Sequence, residues 1–261
     1  MVDMFPVLRV LGILIMVFAL TMGLPLSVSW FTQDGVWRVY PVAMLCTLAV
    51  GFGLWSSLRL FRRELQPRHG VMLVTLVWVL LPFFAALPLM MAFHHIGRPI
   101  SFTHAYFEAV SGLTTTGSTV LTGLDTLPVS MNVWHTFLQW VGGMGILILA
   151  VAVLPLLGVG GSQLFKAEAA GPVKDAKLTP RMTETAKGLW GVYALFSLLC
   201  VLAYWLGGMD PLNALMYMFS TVSLGGLSPH DTSFGYYQSP LLEAIAVAFM
   251  LVASCNFALY F

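Results

Sequence analysis

Long apolar runs alternate with short polar ones along the whole chain. A bilayer core takes about 20 helical residues to cross. Six runs reach or approach that length: residues 7–30, 39–60, 71–93, 132–157, 189–206 and 241–261. Two of the gaps, after the third and fifth runs, hold segments too short or too polar to cross. Each reads as a short amphipathic helix followed by hydroxyl residues and glycines. Ser101 suits the N-cap of the first, over 102–113. Asp210 followed by Pro211 suits the second, an N-cap with proline at the first helical position. A helix of about 12 residues is roughly 18 Å long, half a membrane. Span, short helix, polar loop and span thus occur twice, over 71–157 and 189–261, and Gly117 and Gly225 lie 108 positions apart.

The fold class this predicts is an all-α polytopic membrane protein. Two N-terminal spans (1–66) precede a first span–pore helix–span repeat (67–160). A cytoplasmic connector (161–187) then leads to a second repeat (188–261), and both repeats carry re-entrant loops. Composition agrees: of 261 residues 59% are apolar and 9% charged, against about 25% charged in soluble domains. Lipid is therefore a partner, and a net charge of +1 excludes nucleic acid. The first run is too long for a signal peptide, lacks an Ala-x-Ala-like site and is followed by further spans, so it reads as retained. Cys46, Cys200 and Cys255 sit inside apolar runs as packing residues, with no disulfide or metal spacing. Neither His-Glu-x-x-His nor Gly-x-Ser-x-Gly occurs, so no enzyme and no cofactor are expected.

Basic residues fix an orientation. Arg9, Arg59, Arg62, Arg63, Arg68, Lys166, Lys174, Lys177, Arg181 and Lys187 fall in one set of loops, and only Arg38 and Arg98 in the other. The positive-inside rule puts the first set in the cytoplasm, with both chain ends. The two Thr/Gly loops then open outward. Within 158–187, residues 163–170 read as a short interfacial helix, Lys166 and Glu168 on its wet side. The stretch is either a solvated connector or a docking surface for a cytoplasmic partner.

Hydroxyls and glycines at membrane depth are costly unless they line something wet or ionic. Backbone carbonyls of an extended loop can replace an ion's hydration shell, and glycine lets them turn inward by reaching positive φ. A half-length helix would also aim the negative end of its dipole at the bilayer centre, where it favours a cation. Thr221-Val222-Ser223-Leu224-Gly225 shares its leading Thr-Val and closing Gly with the Thr-Val-Gly-Tyr-Gly filter of potassium channels, and Thr114-Thr115-Thr116-Gly117 is a looser version. Asp125 and Asp231 either raise the local cation concentration or serve as turn and cap residues. Glu108 either hydrogen-bonds the loop backbone or points to water. His104, His135 and His230 read as isolated, His94 and His95 as interfacial. Gly142, Gly143 and Gly145 read as close-packing positions, Asn213 and Asn256 as helix–helix hydrogen bonds, and Glu243 as interfacial.

Five stretches carry a resemblance: 107–117 (Phe-Glu-Ala-Val-Ser-Gly-Leu-Thr-Thr-Thr-Gly), 139–146 (Gln-Trp-Val-Gly-Gly-Met-Gly-Ile), 163–168 (Gln-Leu-Phe-Lys-Ala-Glu), 220–228 (Ser-Thr-Val-Ser-Leu-Gly-Gly-Leu-Ser) and 254–257 (Ser-Cys-Asn-Phe). With them the chain resembles the Trk/Ktr/HKT superfamily of potassium transporters, and most of all its bacterial TrkH and TrkG branch. The resemblance implies potassium uptake across the bacterial inner membrane by a pore-forming subunit, with potassium as the transported ion. It implies four span–pore helix–span repeats around one pore, with 7–30 and 39–60 as extra N-terminal spans. The ion-facing backbone would be Thr114, Thr115, Thr116 and Gly117 in the first loop and Val222, Ser223, Leu224 and Gly225 in the second, with Ser118 and Gly226 at the outer mouth. It implies a homodimer and a cytoplasmic nucleotide-binding regulatory subunit of the TrkA kind. Repeats three and four, and the gating loop of the third, have no counterpart before Phe261. The expectation is a partial protein supplying two of four filter quadrants, the alternative being a non-conducting truncated fragment.

Overall fold

The computed structural model describes residues 4–59, 67–153 and 178–254, apart from the side chains of 67–68, 146–153 and 178–186. The connector readings for 161–177, including Lys166 and Glu168, and those for Cys255 and Asn256, lie outside the described residues. Among the described residues all regular structure is helical. The elements are α1 (Phe5–Thr21), α2 (Gly23–Thr32), α3 (Val39–Leu58), α4 (Pro67–His95), α5 (Phe102–Leu113), α6 (Val129–Val153), α7 (Leu178–Leu206), α8 (Pro211–Ser223) and α9 (Pro240–Ser254), with 3-10 turns at Leu124–Thr126 and Ser233–Tyr236. Among the described residues four helical stretches are long and apolar enough to cross a membrane: Phe5–Thr32, Val39–Leu58, His69–His95 and Lys187–Leu206. The helix α6 runs 25 residues, and α9 is a shorter apolar helix.

The first run, expected as one helix over 7–30, is broken at Met22 into α1 and α2. Pro25 supplies the reason. It has no N–H to donate, and its ring crowds the carbonyl four residues earlier, that of Thr21. Proline acts differently inside α4, which continues through Pro82 and Pro88. The carbonyl three residues before each proline receives a donor from another helix: the Tyr106 hydroxyl donates to Val79 O at 3.0 Å, and Trp134 Nε1 donates to Ala85 O at 3.1 Å. Such borrowed donors let proline persist in apolar helices.

The helices α1 and α3 cross where Gly12 meets Gly51. A Cβ on either would lie 2.8 Å from the other's carbonyl oxygen, so only glycine lets the backbones approach this closely. The turn after α2 reaches across to α6: Asp34 Oδ2 accepts from Ser130 N at 2.9 Å, and the Tyr40 hydroxyl donates to Ser130 Oγ at 2.9 Å. A carboxylate at a helix N-terminus satisfies an orphan donor and complements the dipole. The N-terminal spans therefore fasten the start of α6. That helix is the hub of the molecule, packing against α2, α4, α5, α7 and α8.

Both repeats enter their short helix in the same way. The helix α4 ends with Gly97 N bonded to His94 O at 3.1 Å and Arg98 N to Phe93 O at 3.0 Å; α7 ends with Gly208 N bonded to Trp205 O and Met209 N to Tyr204 O, each at 3.1 Å. These are Schellman closures, each with a glycine at positive φ, 73° and 106°. The predicted caps then start α5 and α8: Ser101 Oγ accepts from His104 N at 3.2 Å, and Asp210 Oδ2 from Asn213 N at 3.1 Å. Asn213 turns back to the same cap, Nδ2 donating to Asp210 Oδ1 at 2.6 Å, rather than bridging helices.

Candidate functional site

The two short helices end alike. In α5, Thr115 N donates to Gly112 O at 3.0 Å and Thr116 N to Ser111 O at 2.9 Å; in α8, Leu224 N donates to Thr221 O at 3.3 Å and Gly225 N to Ser220 O at 3.0 Å. Both are again Schellman closures, but here the left-handed residue is not glycine: Thr115 has φ 53° and Leu224 φ 57°. A left-handed non-glycine residue carries about 1–2 kcal/mol of strain. The next positive φ values fall at Gly117 (74°) and Gly226 (87°).

These matches set the backbone repeat at 109 residues, not the 108 that separate Gly117 from Gly225. In this register Thr114 pairs with Ser223, Thr115 with Leu224, Thr116 with Gly225 and Gly117 with Gly226. Val222 is buried in the last turn of α8 and corresponds to Leu113. The same spacing separates the two N-caps, Ser101 and Asp210, so the register holds along the whole of both helices. Around the first turn the hydroxyls tie the backbone together: Thr114 Oγ1 donates to Val110 O at 2.8 Å and lies 2.7 Å from Thr116 Oγ1. Thr116 and Leu224 are exposed.

The loops touch glycine to glycine. A Cβ at Gly117 would overlap the Gly225 carbonyl oxygen and lie 3.5 Å from Gly226 Cα. Two neighbouring glycines of α6 receive the two helix ends. A Cβ at Gly142 would overlap the Leu113 carbonyl at the end of α5; one at Gly143 would lie 3.1 Å from Ser223 Cβ at the end of α8. Close packing is thus realised at Gly142 and Gly143. Gly145 meets nothing within 4 Å among the described residues.

Polar side chains brace the loops from behind. Glu108, on α5, is fully buried. Its Oε1 accepts from Val120 N at 2.5 Å and Thr119 Oγ1 at 2.9 Å, and its Oε2 lies 2.7 Å from His135 Nε2 of α6. Of its two readings, holding the loop is the one realised. His135, expected to be isolated, is instead the carboxylate's partner, which a buried charge requires. On the second loop, Gln139 Oε1 accepts from Leu227 N at 2.9 Å and its Nε2 donates to Leu227 O at 3.3 Å.

The outer limbs of the loops are clasped across the repeats. Asp125 Oδ1 lies 2.5 Å from His230 Nδ1, and His230 stacks on Tyr236 with ring centroids 3.7 Å apart. Asp231 Oδ1 accepts from Gly123 N at 3.1 Å and Leu124 N at 3.3 Å. Asn132 Nδ2 donates to Leu124 O at 2.8 Å and Pro229 O at 3.2 Å, one on each limb. Asp125 and Asp231 therefore act as fasteners, each serving the opposite loop. His230, also expected to be isolated, is the clasp's imidazole, and its hydrogen bond holds the Asp125 carboxyl below the ordinary carboxylate range. Among the described residues no group of three or more His, Cys, Asp or Glu side chains is placed to hold a metal ion.

Sequence reasoning named Glu108 but missed the bracing by His135 and Gln139. The usable signal was helical spacing: Asn132, His135 and Gln139 recur at three and four residues within an apolar span and share one face.

Comparison with known proteins extends this geometry. A family model described as TrkH, cation transport protein, matches residues 41–261. The Trk system potassium uptake protein TrkH of Halomonas elongata is 47% identical over 255 residues, covering 98% of this chain and 52% of that protein. TrkH of Escherichia coli K12 is 44% identical over 253 residues, covering 97% and 52%; TrkG of the same organism is 37% identical over 250, covering 96% and 51%. The crystal structure of the potassium transporter TrkH from Vibrio parahaemolyticus matches with a TM-score of 0.88 at 39% identity, covering 99% of this chain and 51% of that one. The chain spans about half the length of the curated relatives it matches. Those relatives are transporters, not enzymes.

Proposed function

This chain belongs to the TrkH family of cation transport proteins, and on that premise we propose that it is a pore-forming part of a potassium uptake system. Two half-length helices ending on adjacent glycines of one helix, and handing over to loops that meet glycine to glycine, carry the reading. Potassium passes between carbonyls of the two loops: Thr114, Thr115, Thr116 and Gly117 in the first, and Ser223, Leu224, Gly225 and Gly226, their partners in the 109-residue register, in the second; Val222, expected among them, lies in the last turn of α8 instead. The helix C-termini aim their negative dipole ends at this region. The chain lies in the bacterial inner membrane with its loops outward and its described ends cytoplasmic, as the basic residues favour. The pore unit is a homodimer served by a cytoplasmic nucleotide-binding subunit of the TrkA kind; the naming of the relatives as parts of a Trk system supports this.

Rubidium uptake in cells lacking their own potassium uptake tests the reading. The chain is expressed alone and beside the C-terminal half of the Halomonas elongata relative. Uptake should appear in at least the second arrangement and be abolished by Gly117→Asp, at unchanged membrane level. Uptake and ion selectivity that survive Gly117→Asp would overturn the filter assignment. Absence of uptake in both arrangements favours the second reading, a non-conducting fragment, which the half-length coverage motivates.

A further inference from the structure

We infer that Gln139 is the positioning residue of the second loop, and that one face of α6 sets the height of both loops against each other. The inference rests on the filter reading proposed above. Asn132, His135, Gln139 and Gly142 form a stripe along α6, and Gly143 adjoins it. Every member of it touches a loop or the helix end that feeds one. Asn132 holds both outer limbs, His135 reaches the first loop through Glu108, and the two glycines admit the helix ends.

Gln139 has the most exacting place on this stripe. It is fully buried, as is Leu227 beside it. Its amide bonds both backbone groups of Leu227, as a neighbouring strand would. A Cβ at Gly225 would overlap Gln139 Oε1, while the Gly225 carbonyl on the other side fills the space over Gly117. The order of contact is therefore α6, Gln139, Gly225, Gly117. The amide backs the carbonyl that faces the other loop. Few side chains can replace it: glutamate keeps the acceptor for Leu227 N and loses the donor for Leu227 O, asparagine is one methylene short, and leucine leaves both backbone groups buried and unpaired. Selectivity among alkali cations depends on the number and placement of carbonyl oxygens, so displacement of Gly225 should register there before it registers in folding.

The test compares Gln139→Leu and Gln139→Glu with the unsubstituted chain, in the arrangement that supports uptake. It measures the ratio of rubidium to sodium uptake at matched membrane level. The ratio should fall roughly tenfold in Gln139→Leu, the scale of a lost buried hydrogen-bond pair, and by less in Gln139→Glu. An unchanged ratio in Gln139→Leu overturns the inference. Should that variant fail to accumulate, the ratio in Gln139→Glu decides in its place. Gly117→Asp, assayed in parallel, separates the two claims: if it abolishes uptake while Gln139→Leu leaves the ratio intact, the filter stands and the positioning role falls.

Discussion

Glu108 Oε2 and His135 Nε2 lie 2.7 Å apart, joining α5 to α6 through two fully buried side chains. Removing one member of such a pair leaves the other without a partner, at about 3–5 kcal/mol. Glu108→Ala should therefore lower the thermal midpoint in detergent sharply. Glu108→Gln, which can still accept from Val120 N, should lower it less. Equal midpoints for the two would show that the hydrogen bonds to Glu108 add nothing to stability.

Trp134 offers a cleaner measurement, because its indole serves a carbonyl in α4. Trp134→Phe keeps most of the ring and removes the donor to Ala85 O, at about 1–3 kcal/mol for a buried acceptor left bare. The N–H that Pro88→Ala restores is directed at Phe84 O, four residues back, and not at Ala85 O, so Trp134→Phe should cost about as much in that background. A double-mutant cycle of unfolding midpoints gives the coupling; effects that are not additive would mean that the indole and the proline are coupled after all.

The tandem glycines of α6 predict opposite outcomes at neighbouring positions. Gly142→Ala places a methyl on the Leu113 carbonyl and should destabilise the fold by about 1–3 kcal/mol, as overpacking does, with loss of uptake. Gly145→Ala meets nothing within 4 Å among the described residues and should stay within about 0.5 kcal/mol of the parent. Unfolding midpoints and rubidium uptake on the two variants check both.

The outer clasp should respond to acid. Asp125 is held below its ordinary value by His230, so the folded state favours the carboxylate. Its contribution is complete above the unfolded value, about pH 4, and is lost as pH falls through the depressed folded value. The thermal midpoint should therefore drop on acidification below about pH 4, and drop less in Asp125→Asn, which already lacks the charge. Parallel acid profiles for the two proteins would remove Asp125 from the account.

The spans, the half-length helices and both of their caps were legible, because hydrophobic length and capping chemistry act locally. Register between the repeats was not. The likeness of Thr221-Val222 to the start of a potassium filter drew the alignment one residue early, whereas Val222 lies in the last turn of α8 and the N-caps Ser101 and Asp210 already stand 109 positions apart. Asp125 and Asp231 were recognised as polar residues just beyond the loops, but their partners lie 105 and 108 positions away, and no local pattern announces a partner at that distance. His135 and Gln139 were visible as an interruption of an apolar helix. What they hold emerged only once α5 and α8 were seen to end against the same face.

Gly142 and Gly143 are consecutive, and consecutive residues of an α-helix point about 100° apart around its axis. The two short helices accordingly approach α6 from directions about 100° apart around its axis. Side-chain substitution along α6 can loosen either approach but cannot change the angle between them. Only adding or deleting a residue would do so, and it would swing one approach round while the other stayed in place.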